Sequence, residues 1–133
     1  MPRSPAHTRR DTLALLAAAV AAAPAGAAPA RGISFIVTLH VKPGREQEFL
    51  RLLAPVLDAM RHEKTFINAV LHRDPEDPTR FMLYETWADL DDVVEVQLKR
   101  DYRSAYHAAL PELLREERGI AVWQPMRADF AAG

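Results

Sequence analysis

The sequence predicts an α+β domain of β-α-β-β-α-β order, built as one antiparallel sheet with helices on one face. Three patterns carry that prediction: an alternating run at 33–41, a helical apolar stripe from Arg45 to Met60, and two strand-like runs flanking a polar loop at 74–78. The chain of 133 residues is long enough for one domain plus an extension.

In ISFIVTLHV, Ile33, Phe35, Val37, Leu39 and Val41 fall on one face, and Ser34, Ile36, Thr38 and His40 on the other. Lys42-Pro43-Gly44 reads as a turn that opens a helix, in which Phe49, Leu52, Leu53, Val56, Leu57 and Met60 recur at helical spacing. Pro55 is expected to kink that helix or break a turn near Arg51, because its ring clashes with the carbonyl four residues back. FINAVLH and FMLYETW follow as strands, and Asp74-Pro75-Glu76-Asp77-Pro78 is expected to interrupt them. Asp89 reads as the N-cap of a short helix carrying Val93, Val94, Val96 and Leu98, with acidic residues where the helix dipole favours them. A second helical segment, Tyr102 to Glu117, places Tyr102, Ala105, Tyr106, Ala109, Leu113 and Leu114 at helical spacing, with a break expected at Pro111. IAVWQPM, at 120–126, is the last strand. That order is a ferredoxin-like arrangement. A domain of this size buries a modest core alone, and the sheet's second face still carries apolar and aromatic groups. A second copy of the chain is the expected cover.

Residues 1–30 read as a removable leader, leaving a domain at 31–133. Arg3, Arg9 and Arg10 give a basic start, LALLAAAVAAA is an apolar run of signal-peptide length, and Ala25-Gly26-Ala27 and Ala28-Pro29-Ala30 suit cleavage. The apolar run is too short to span a bilayer. Thr8-Arg9-Arg10-Asp11-Thr12-Leu13 is similar to a twin-arginine export signal, with Thr12 in place of the usual Phe. The expectation is a periplasmic or secreted protein whose mature form holds no membrane segment. Loss of the leader removes three Arg and one Asp, leaving 14 basic and 17 acidic residues.

Composition excludes several chemistries. The net charge of -1 offers no basic field for nucleic acid. The absence of Cys rules out disulfides, thiolate nucleophiles and zinc–thiolate or iron–sulfur sites. Five scattered Gly form no phosphate-cradling loop. His40, His62, His72 and His107 fall on different elements, so no metal site is expected.

The hairpin holds most side chains able to do chemistry. Asn68 is a polar residue in an apolar strand, expected to share a face with Phe66, Val70 and His72. His72 is the candidate general base, since an unperturbed imidazole titrates near neutrality. Trp87 and Glu85 share a face opposite Tyr84; a buried Glu85 needs a partner, for which Arg80 and Arg51 are candidates. His40 ends the first strand where it can line a pocket. Of the adjacent Tyr106 and His107, Tyr106 is expected to point inward.

VTLHVKPGREQEFL, RDPEDPTRFMLYETWADLDD and YRSAYHAALPELL together resemble the antibiotic biosynthesis monooxygenase family of quinol-monooxygenase-like proteins, over about residues 33–126. The resemblance implies a homodimeric α/β-barrel with a pocket between the sheet and helices of each protomer. It also implies cofactor-independent oxygenation of a small quinol- or phenol-type aromatic by O2, with no flavin or metal. In that scheme Asn68 holds the substrate oxygen, His72 takes the proton, and Phe66, Trp87, Tyr106, His40 and Glu85 line the pocket. Haem degradation is disfavoured, because Gln97 stands where that branch of the family places its iron-ligating His. Two other functions share the same pocket: a non-catalytic dimeric binding or stress-response protein, and an isomerase of a small carbonyl compound.

Overall fold

The computed structural model describes residues 32–133; the predicted leader lies outside the described residues. The elements are β1 (Ile33–His40), α1 (Glu46–Met60), β2 (Phe66–Asp74), β3 (Asp77–Trp87), α2 (Leu90–Glu95), two single 3₁₀ turns (Gln97–Lys99 and Asp101–Arg103), α3 (Ser104–Leu113) and β4 (Gly119–Trp123). The sheet runs β2-β3-β1-β4 with every neighbouring pair antiparallel. This is the ferredoxin-like arrangement the hydrophobic periods predict, with an open sheet.

Register sorts the side chains onto two faces. Ile33, Phe35, Val37 and Leu39 of β1 sit opposite Trp87, Glu85, Leu83 and Phe81 of β3. This row packs against Phe49, Leu53, Val56 and Met60 of α1 and Tyr106, Leu110 and Leu113 of α3, forming the core. Phe49 stacks at a tilt on Phe81, with ring centroids 4.9 Å apart. Ser34, Ile36, Thr38 and His40 sit opposite Thr86, Tyr84, Met82 and Arg80 on the other face, which no helix covers.

Three local expectations are corrected. Neither proline breaks its helix: α1 runs through Pro55 and α3 through Pro111. Both prolines are exposed, as is Arg51, so the carbonyl that Pro55 deprives of its N–H partner can be hydrated. The hairpin loop is shorter than the sequence suggests. Asp74 pairs with Asp77, leaving Pro75-Glu76 as the turn, and Pro78 lies in the first residues of β3, where a missing N–H is tolerated. Asp74 Oδ1 fixes that turn by accepting the Glu76 amide at 2.8 Å. The C-terminal helix stops at Leu113 rather than Glu117, because Leu114 turns to bridge Val41 beyond the end of β1.

Of the remaining local readings, the turn before α1 and the cap of α2 match the fold, while the last strand is shorter, ending at Trp123 rather than Met126. Gly44, at φ 87°, supplies the left-handed residue of the turn before α1. Asp89 caps α2, its Oδ1 accepting the Asp91 amide at 2.9 Å. The predicted second helix is split, since Gln97 and Leu98 fall in a 3₁₀ turn. Gln97 explains where that split is held. It is buried, and its Nε2 donates to Glu63 Oε1 at 3.2 Å and to Asp92 Oδ2 at 3.0 Å. Arg100 and the Tyr102 hydroxyl donate to the same Glu63 carboxylate. The connection after α1 is thereby tied to the segment that leads into α3.

Candidate active site

A β-bulge decides which hairpin residues can meet. Phe66 pairs with Trp87, but Asn68 pairs with Thr86, so Ile67 is an extra residue on β2. Phe66 therefore lies on the helix side, its ring edge-on to Trp87 at 5.3 Å, while Asn68, Val70 and His72 lie on the open face. The expectation that Asn68 and Phe66 share a face is thus corrected. The candidate residues separate into two groups. Asn68, His72 and His40 belong to the open face; Phe66, Glu85, Trp87 and Tyr106 belong to the cleft between sheet and helices.

The cleft group is tightly organised. Trp87 is fully buried, and its Nε1–H donates to Glu85 Oε1 at 2.7 Å. Glu85 alternates with Leu83 and Trp87 on β3, so strand geometry turns a carboxyl into the core beside Phe35 and Ala69. Burial pushes the Glu85 carboxyl above the usual range, against the opposing pull of the Trp87 hydrogen bond and of Arg103 and Arg118. The partner is thus an indole N–H in the field of two arginines. Arg80, one of the expected partners, is on the open face and pairs with Asp74 at 3.3 Å.

Arg103 is buried, with its guanidinium 5.9 Å from the Trp87 ring centroid and 5.5 Å from that of Tyr102. Its Nε has no hydrogen-bond partner among the described residues. Tyr106 points inward as expected, and burial raises its phenol to about 12. His107 also turns toward the site, its ring 5.5 Å from Tyr106. Burial, helped by Arg118 and Arg103, lowers His107 to about 4, so the imidazole is neutral at physiological pH.

Beside this group opens a cavity of about 410 Å³, lined on one side by His107, Leu110, Pro111 and Leu114 and closed by Arg115 to Arg118. Arg118 both lines this cavity and acts electrostatically on Glu85, Tyr106 and His107. A slot of this size and apolar wall can admit a small aromatic ring system, and its rim carries both signs of charge, Arg115 and Arg118 beside Glu116 and Glu117. Arg103 and Arg118 were not anticipated from the sequence. The signal for Arg103 was its place in the stripe Arg103, Tyr106, Leu110, Leu113, all buried along α3 and its entry. Arg118 lies in a connection with no such period.

On the open face, His72 borders a shallow cavity of about 490 Å³ with Thr38, Arg73, Asp74, Pro75, Arg80, Phe81 and Met82. Asn68 Oδ1 is buried without a hydrogen-bond partner, close to the Ser34–Thr86 hydroxyl pair at 3.1 Å. His40 is held at the sheet's end by Asp77 and Arg115.

The fold and cleft define a small ferredoxin-like α+β protein with a buried carboxyl–indole pair behind an apolar cavity. The chain belongs to the antibiotic biosynthesis monooxygenase family, whose model matches residues 32–108. It is 34% identical over 101 residues to the Pestalotiopsis microspora protein named "Putative monooxygenase GME11364", covering 75% of this chain and 84% of that one. Among solved structures, a Nitrosomonas europaea protein carrying the family's name superposes with a TM-score of 0.69 at 17% identity, over 74% of this chain and 94% of the other. A conserved Methanosarcina mazei protein gives 0.66 at 22% identity, over 71% and 93%. At these identities the structural likeness is one of fold, while the family and the fungal relative support a monooxygenase-like function.

Proposed function

We propose that the protein is a cofactor-independent monooxygenase of a quinol- or phenol-type aromatic, acting in the cleft between β3 and α3. The observation that supports this reading is the buried Glu85 carboxyl, tied to Trp87 and coupled electrostatically to Arg118 on the rim of the cavity. An electron-rich phenol reduces O2 once it is deprotonated. One oxygen atom then becomes a ring carbonyl and the other leaves as water, carrying the two hydrogens lost by the substrate. The protein's part is to accept a proton, hold the phenolate and exclude bulk water.

Each task has a residue. Glu85 accepts the proton, because burial raises its affinity for one. Arg118 stabilises the phenolate, and the neutral His107 ring orients the hydroxyl. Leu110, Pro111 and Leu114 form the apolar wall. Asn68 and His72 then serve the open face rather than the chemistry. Ile67, Val70 and Trp123 are exposed there or at its edges, an apolar surface that a second copy would cover. A homodimer with its sheets face to face is part of this reading.

Oxygen uptake with a panel of quinols and hydroxylated anthrones tests it, with flavin and metal assays on the same sample. Protein-dependent uptake without either group is expected. Saturable ligand binding without uptake would replace the enzyme with a binding protein using the same cleft. Export through the twin-arginine route completes the proposal. Replacing Arg9 and Arg10 together by Lys is expected to retain the chain in the cytoplasm, as read by cell fractionation. Unchanged export would remove that part.

A further inference from the structure

The segment that closes the cavity is anchored to the end of β1 twice. Its main chain makes the Val41–Leu114 bridge, and the Arg115 N–H donates to the His40 carbonyl oxygen at 2.8 Å. The second anchor is the His40 side chain. Its Nε2 lies 3.2 Å from Arg115 Nη1 and 3.3 Å from Asp77 Oδ2.

One ring nitrogen cannot serve both neighbours. With its proton on Nδ1, the neutral ring offers Nε2 as an acceptor to the Arg115 guanidinium. As an imidazolium it donates to the Asp77 carboxylate instead, and its charge repels Arg115. Asp77 is a ready acceptor, because the Thr79 hydroxyl and amide hold its carboxyl below the usual range.

We propose that Arg115 orients an oxyanion-bearing aromatic in the cavity, and that His40 is the positioning residue that holds or releases Arg115 according to its own protonation. The inference deepens the reading given above, since it takes the same cavity as the substrate site. Other charged groups facing His40 are Arg80, opposite it on β3, and Glu116 and Glu117 on the closing segment; these line a small cavity of about 70 Å³ with Thr38 and Gly119. His107, across the main cavity, stays neutral above about 4. It therefore does not change charge across the range of about pH 5 to 8, where imidazoles ordinarily do.

Benzoate, which stays anionic over that range, is the probe, and benzyl alcohol is the neutral control, each titrated calorimetrically into the full chain. Benzoate is expected to bind about fivefold more weakly at the acid end than at the alkaline end, the size suited to a part-exposed ion contact. Benzyl alcohol binding should not follow pH. His40→Gln keeps an acceptor but cannot titrate, so it should retain the alkaline affinity and lose the pH dependence. Arg115→Met should bind benzoate about fivefold more weakly at both ends. A His40→Gln variant with the parent's pH profile overturns the proposal. So does an Arg115→Met variant with undiminished affinity, or a parent chain that does not bind benzoate. Should a variant not fold, nuclear magnetic resonance of the unsubstituted chain decides: the Arg115 guanidinium signals must shift with the His40 titration, and an independent course overturns the coupling. Oxygen uptake is not among these readouts. Benzoate binding as expected without quinol oxidation fails the oxygenase reading alone, and the reverse result fails only this inference.

Discussion

Glu85→Gln is expected to lower quinol oxidation about a hundredfold while making the protein more stable at neutral pH. The two effects share one cause. Burial holds the Glu85 carboxyl above its ordinary value of 4.5, so the folded chain binds this proton more tightly than the unfolded chain. The stability this proton binding contributes is fully present below 4.5 and is lost as pH rises through the higher folded value. Gln has nearly the same shape, still offers Oε1 to the Trp87 indole, and never ionises. Its melting temperature should exceed the parent's at neutral pH and converge with it in acid. Melts across that range, alongside oxygen uptake, check both halves. Equal melting temperatures would mean that the carboxyl is not strained by burial, and undiminished uptake would remove it as the proton acceptor.

Trp87→Ala is expected to cost about 4 kcal/mol of stability in urea unfolding, the range for deleting a large aromatic from a packed core. Trp87 is fully buried and meets Phe66 edge-on and Arg103 over its face. Trp87→Phe separates packing from hydrogen bonding. It keeps an aromatic ring but removes the indole N–H that donates to Glu85 Oε1 at 2.7 Å. That loss should cost about 1–3 kcal/mol when Glu85 is ionised and less once it is protonated. A Phe variant as stable as the parent at every pH would show that the indole N–H adds nothing beyond its volume.

The fold was legible because its signals are periods, and periods survive in a single sequence. The alternation in β1 and the stripe in α1 each identify a buried face, and both faces are where the periods put them. Prolines misled because their cost depends on solvent, not on sequence: an exposed Pro55 deprives only a carbonyl that water can reach. The site was half legible. Trp87 with Glu85 could be placed on one face from their spacing, but Asn68 was assigned to the wrong side of Phe66 because nothing local announces a bulge. His107 and Tyr106 both contribute, although adjacent helical positions suggested a choice between them: one faces the core and the other borders the cavity. Arg118 acts through distance rather than pattern, from the connection between α3 and β4, where no period marks it.

The extra residue in β2 also changes what the strand can tolerate. Without Ile67, parity alone would assign every side chain from Phe66 to Arg73 to one side or the other. With it, the strand begins in one parity and continues in the opposite one, so Phe66 packs on Trp87 while Asn68 and Val70 address the outside. Removing Ile67 would leave Phe66 and Asn68 as neighbours on opposite faces of a regular strand, so both placements would survive without the bulge. The bulge thus puts an exposed Ile67 directly beside the ring that packs edge-on against Trp87, the tryptophan bonded to Glu85.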